Sequence, residues 1–182
     1  DFSSTFLKEP SLFLWDQNNL VLSIFAWVGV ILSTLSLLGI SNAFIFTALW
    51  FIYLSFVNIG QIFYGYGWES LLLETGFLAI FMCPFLSIHP FSKNSPPPLP
   101  VIWLIRWVLF RVILGAGLIK LRGDPCWRDL TCMAYHYETQ PVPNPLSWYI
   151  HQLPGFFHKS EVLLTHFVEL VAIWFVMSPN RK

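Results

Sequence analysis

VIWLIRWVLFRVILGAGLIKLRGDPCWRDLTCMAYHYETQ, residues 101–140, decides how the chain folds. Its first half, Val101 to Leu121, is apolar apart from Arg106, Arg111 and Lys120. At about 1.5 Å per residue that half is long enough to cross the roughly 30 Å of a hydrocarbon core. Its second half is polar and densely patterned. A membrane helix therefore runs directly into a segment built for water.

Working upstream, Leu20 to Ile40 and Ala43 to Phe63 are uncharged and each long enough to cross, with Gly39, Ser41 and Asn42 as the tight turn of a hairpin. A third apolar run, 70–86, carries Glu74, while Glu69 projects about 140° away and is expected nearer the interface. HPFSKNSPPPLP, residues 89–100, is a short stiff loop, because successive prolines remove donors and favour extended backbone. Residues 1–19 mix Lys8, Glu9 and Asp16 with an apolar patch, which suits an interfacial segment. Downstream, 161–178 is the last membrane helix, with His166 and Glu169 on one face.

The composition agrees. Of 182 residues 55% are apolar, 18% aromatic and only 11% charged, with mean hydropathy +0.61 and zero formal net charge. These values define a membrane protein, with the lipid bilayer as its first partner, and no basic run points to nucleic acid. The fold expected is all-α, a polytopic transmembrane bundle of about five membrane helices with a long, partly helical polar loop. The bundle occupies 20–121, as 20–40, 43–63, 70–86 and 101–121, the loop occupies 122–160, and the last helix follows.

Charges inside a membrane helix need reasons. Arg106 and Lys120 share a face and lie near opposite ends of their helix, so snorkelling to the headgroups explains them. Arg111 and Glu74 lie deeper and are expected to pair with each other, since a lone buried charge is uncompensated. Gly115 and Gly117 permit close approach of a neighbouring helix.

The 122–160 loop is too long for a structureless connection. Asp124-Pro125 reads as a helix start, with Trp127, Leu130, Ala134 and Tyr137 at helical spacing. Asn144-Pro145 opens a second short helix that ends at Pro154 and lies on the membrane surface through Trp148 and Tyr149. If Cys126 and Cys132 share the first helix, their α-carbons stand more than about 7 Å apart, so they are expected to remain unbridged. The spacings of His136, His151 and His158 match no zinc signature, so no metal and no cofactor are expected.

No nucleophile elbow, zincin motif or phosphate loop is present, so no catalytic residue is assigned. His136 with Glu138, or His166 with Glu169, could do acid–base work, yet such pairs are common as buried hydrogen bonds. The candidate working surface is Arg128, Asp129, Tyr135, His136, Tyr137, Glu138, Thr139 and Gln140, where aromatic and polar groups lie close together. Glu74, Arg106, Arg111, Lys120, His166 and Glu169 form a second, intramembrane set.

YGWESLLLETGFLAIF (Tyr66 to Phe81), the stretch from Arg106 to Tyr149, and HFVEL (His166 to Leu170) resemble the lipase maturation factors. The likeness runs from about Phe63 onward; residues 1–60 match only in hydrophobic character. It implies a multi-pass protein of the endoplasmic reticulum membrane, with 122–160 on the lumenal side. Its implied work is chaperone-like: folding and assembly of secreted homodimeric lipases such as lipoprotein lipase. Secreted lipases are then clients, with endoplasmic reticulum chaperones or oxidoreductases as further partners. The resemblance also implies a C-terminal portion beyond this chain, which reads as a fragment of a longer protein. A fainter likeness of AGLIKL, Ala116 to Leu121, to vitamin K-dependent carboxylases implies a rival reading, an enzyme with Lys120 as base. A third is a transporter-like relay through Glu74 and Arg111.

Overall fold

The computed structural model describes residues 10–14, 16, 18–85, 96–142 and 144–178. Among them are seven α-helices and no strand: α1 Asn19–Leu37, α2 Ala43–Ile59, α3 Gly67–Ile80, α4 Leu99–Arg122, α5 Cys132–Thr139, α6 Ser147–His151 and α7 Gly155–His166. The last continues through a π turn, Phe167–Val171, and a 3-10 stretch, Ala172–Met177. Asn19–Leu37, Leu99–Arg122 and Gly155–Met177 are long and apolar enough to cross a membrane, and Ala43–Ile59 is a shorter apolar helix. This is a helical membrane protein. The chain divides into two compact units, Asp1–Ile105 and Arg106–Lys182, with the division inside α4.

In the first unit, local chemistry sets the helix ends. Asn18 and Asn42 are N-caps whose side chains accept from the backbone of Leu20 and Ile45, at 3.3 and 3.0 Å. After α1, Gly39 adopts φ 88°, which glycine takes without strain, and Ile40 N–H reaches back to the Leu35 carbonyl. The second helix is shorter than its apolar run: it ends at Ile59, and Gln61, at φ 48°, diverts the chain into a 3-10 turn, Gln61–Tyr64. α2 packs on both α1 and α3. Trp50 on α2 donates its indole N–H to the Leu73 carbonyl at 2.8 Å, and its ring meets Phe77.

That contact accounts for the burial of Glu69, which lies in the first turn of α3. Leu73 and Gly76 face Trp50, and Glu69 lies four and seven residues before them, on the same face of α3. Glu69 is accordingly only 8% exposed, more buried than Glu74. Ahead of α1, Phe13 is fully buried between Phe25 and Phe56, and Asn58 donates to the Pro10 carbonyl at 2.7 Å. Of the stiff loop, residues 89–95 lie outside the described residues; its end, Leu99 and Pro100, already forms the first turn of α4.

In the second unit α4 runs antiparallel to the last helix. Lys120 meets Glu169, Phe110 meets Trp174 at 4.9 Å, and Arg106 donates to the Ser178 carbonyl at 3.2 Å. At Gly117 a Cβ would stand 2.7 Å from the end of the Leu170 side chain and 3.0 Å from Glu169 Cβ, so glycine eases this close approach. Because Glu169 sits opposite the end of α4, the first turns of α7 continue past that end. There they pack against α5, which also packs on α6. This explains why the last helix begins at Gly155, six residues before its apolar run: the polar His158, Lys159, Ser160 and Glu161 belong outside the apolar layer.

Candidate functional site

The first helix expected in the polar loop is two short pieces. Asp124 accepts from Cys126 N–H at 2.9 Å and starts a single 3-10 turn, Pro125–Trp127, but Leu130 takes φ 59° and breaks the run before α5 begins at Cys132. The break brings the α-carbons of Cys126 and Cys132 to 4.8 Å, and the two are disulfide-bonded. The expectation that they stay unbridged is therefore wrong, because it rested on a continuous helix. Helical spacing gave no warning, since a positive φ at leucine leaves no mark in the pattern.

The bond fixes Trp127, and Trp127 organises the level below. Its ring lies 5.2 Å from Lys120 Nζ, and its carbonyl faces His166 Nε2 at 3.1 Å. Lys120 forms an ion pair with Glu169 Oε1. His166 and Glu169 share a face, as the spacing indicates, but each bonds outward and not to the other. Glu169 stands in the π turn, a distortion that re-aims side chains and is frequent at functional sites.

Above this level, five polar side chains tie the loop together. Tyr137 donates its hydroxyl to Glu161 at 2.5 Å, and the other oxygen of Glu161 meets His158 Nδ1 at 3.1 Å. His158 is buried, its Nε2 facing the His151 carbonyl at 3.4 Å, and His151 Nε2 pairs with Glu138 at 3.0 Å. Burial, and then the hydrogen bond to Glu161, push the Tyr137 phenol up to about 12. Gln140 donates to Ser147, whose buried hydroxyl also accepts from Asn144 N–H at 3.1 Å. α6 spans only Ser147–His151, and it leaves Leu146, Trp148 and Tyr149 exposed.

The eight candidate surface residues thus divide. Tyr137 and Gln140 are half-buried braces. Arg128, Asp129, Tyr135, His136, Glu138 and Thr139 are exposed, with Glu138 held by His151 instead of His136. Tyr135, His136 and Thr139 line a cavity of about 390 Å³ whose wall is the disulfide with Asp124 and Trp127. Sequence reasoning missed His151, His158 and Glu161 as one network and Ser147 as the brace of Gln140. The available signal was the concentration of polar residues at 158–161, too polar for a bilayer interior. Of the intramembrane set, Lys120, His166 and Glu169 gather in the second unit; Glu74 lies on α3 of the first unit and Arg111 on α4 in the second. No group of three or more potential metal ligands occurs among the described residues.

Fold and site define a helical membrane protein that carries a disulfide-clasped polar cap on its last two long helices. A family model, the lipase maturation factor transmembrane domain, matches residues 1–182, including the N-terminal part that the motifs left uncovered. The chain belongs to the lipase maturation factor family. It is 51% identical over 168 residues to lipase maturation factor 1 of Mus musculus, covering 92% of this chain and 29% of that protein. The Homo sapiens factor 1 is 48% identical over the same length, covering 92% and 30%, and Xenopus laevis lipase maturation factor 2 is 40% identical over 186 residues, covering 97% and 26%. The chain therefore spans about three-tenths of the length of the curated relatives it matches. No solved structure matches.

Proposed function

We propose that the chain is the membrane-embedded portion of a chaperone-like maturation factor, which assists folding and assembly of secreted homodimeric lipases in the endoplasmic reticulum membrane. Family membership supports the lipase class of client, as the relatives' names carry that activity. The observation that carries the surface is the division within the polar loop. Tyr137 and Gln140 lock it from behind while Tyr135, His136 and Thr139 face outward around a cavity and Glu138 is exposed beside them. A rigid platform with exposed aromatic and polar groups loses little entropy on binding, which suits transient recognition of a folding client. Chaperones or oxidoreductases of the same compartment are the further partners in this reading.

The test is rescue. In cells lacking the endogenous factor, the full-length protein containing this chain restores the activity of a secreted homodimeric lipase. Lipase that is equally active with and without the factor removes the proposal.

A further inference from the structure

Two buried atoms at the end of α4 meet no donor among the described residues: Glu169 Oε2 and His166 Nδ1. Glu169 already gives its other oxygen to Lys120, and His166 already turns Nε2 toward the Trp127 carbonyl. A carbonyl is an acceptor, so Nε2 carries the proton, and in the neutral ring Nδ1 offers a lone pair. Both orphaned atoms are then acceptors, and buried acceptors are costly to leave unmatched. Beside them the Lys120 ammonium has N–H groups beyond the one that Glu169 takes.

The depth of this cluster is fixed by the helix register. Lys120 lies two residues before α4 ends at Arg122, Trp127 stands just beyond, and the last helix is level there at His166 and Glu169. That is headgroup depth, where indole rings concentrate. The Lys120 and Glu169 side chains are 23% and 16% exposed but the two acceptor atoms are enclosed, so a headgroup reaches them only as the side chains around them move aside. Ile119, Phe167 and Val168 are exposed beside it and apolar, as a surface covered by acyl chains should be.

An ammonium next to two acceptors is the complement of a zwitterion whose cation carries N–H donors and whose anion is a phosphate. We propose that Lys120, His166 and Glu169 bind a lipid with a phosphoethanolamine headgroup. The phosphate accepts from Lys120, and the primary ammonium donates to Glu169 Oε2 and His166 Nδ1. The π turn supplies the geometry by turning Glu169 toward α4, and Gly117 lets the two helices come close enough for one headgroup to touch both. Phosphocholine has the same charges but no N–H, so it fills the phosphate position and leaves both acceptors unmatched.

Bound-lipid retention by the full-length protein tests this, measured by native mass spectrometry from nanodiscs of mixed phosphatidylethanolamine and phosphatidylcholine. The ethanolamine lipid is expected to be retained about tenfold or more over the choline lipid, the ratio that one well-matched buried hydrogen bond supplies. His166→Phe and Glu169→Gln, each of which removes one acceptor, are expected to reduce that ratio several-fold. The comparison of lipids on the unmodified protein stands even where a variant fails to fold. Equal retention of the two lipids, the result expected if water alone reaches these atoms, overturns the proposal. So does a preference that survives in both folded variants.

Discussion

The two units are held together by different means. In the first, Asn18 and Asn42 cap helices, Trp50, Asn58 and Ser11 donate to backbone carbonyls, and apolar rings such as Phe13, Phe25 and Phe56 pack beside them. In the second, an ion pair, a disulfide and a ring of tyrosine, histidine and glutamate side chains carry the structure. Apolar packing in a bilayer is forgiving, because lipid replaces a lost contact with something equally apolar. Side-chain polar bonds are not forgiving, because removing one partner strands the other. Point changes should therefore be felt far more in residues 106–178 than in 10–105.

The largest contrast is expected at Lys120. Lys120→Met strands the partly buried Glu169 carboxylate and should cost about 3 kcal/mol, read as lost abundance and a lower thermal midpoint of the full-length protein. Ile31→Met, on the exposed face of α1, should shift the same readout by less than about 0.5 kcal/mol. Equal tolerance at the two positions would break the comparison.

Next is the disulfide. Replacing Cys126 and Cys132 together by serine should destabilise by about 2 kcal/mol, the low end for a bond that closes a short loop. Alkylation before and after reduction should label the two thiols only after reduction. Labelling without reductant would restore the unbridged reading.

Tyr137→Phe removes a hydrogen bond to a carboxylate and should cost about 1.5–3 kcal/mol. The same bond gives a pH signature. The native phenol holds its proton up to about 12, above its ordinary value of 10. The unfolded chain loses that proton first, so this contribution is complete below pH 10 and is lost as pH rises from 10 toward about 12. Alkaline unfolding of wild type and Tyr137→Phe should converge across that window. In the first unit, Asn42→Ala removes only a helix cap and should cost about 1 kcal/mol by thermal unfolding.

The sequence revealed the bundle well because hydrophobic length is a one-dimensional property. It revealed the ends of helices less well. Leu130 takes positive φ with no glycine or asparagine beside it to announce it, and Gln61 does so after Gly60, a helix-end signal inside an apolar run; each cuts short a run that spacing alone would continue. The error at Leu130 spread, since it hid both the disulfide and the separation of α5 from the turn before it. The burial of Glu69 went unread for a related reason: it depends on which face of α3 meets Trp50, and that is a tertiary choice. Composition marked the region of the proposed working surface, but which of its residues brace and which face outward depended on Glu161, His158, His151 and Ser147, partners up to 24 residues away.

The outward-facing residues test the account most directly. Tyr135 and His136 are exposed, so Tyr135→Ala with His136→Ala should leave abundance and thermal midpoint within about 0.5 kcal/mol of wild type. The measurement is secreted lipase activity per unit of factor, in cells lacking the endogenous factor and supplied with the full-length double variant. The account predicts a severe loss of lipase activity at unchanged factor abundance. Full lipase activity at normal abundance would contradict it and place the working surface outside this cap.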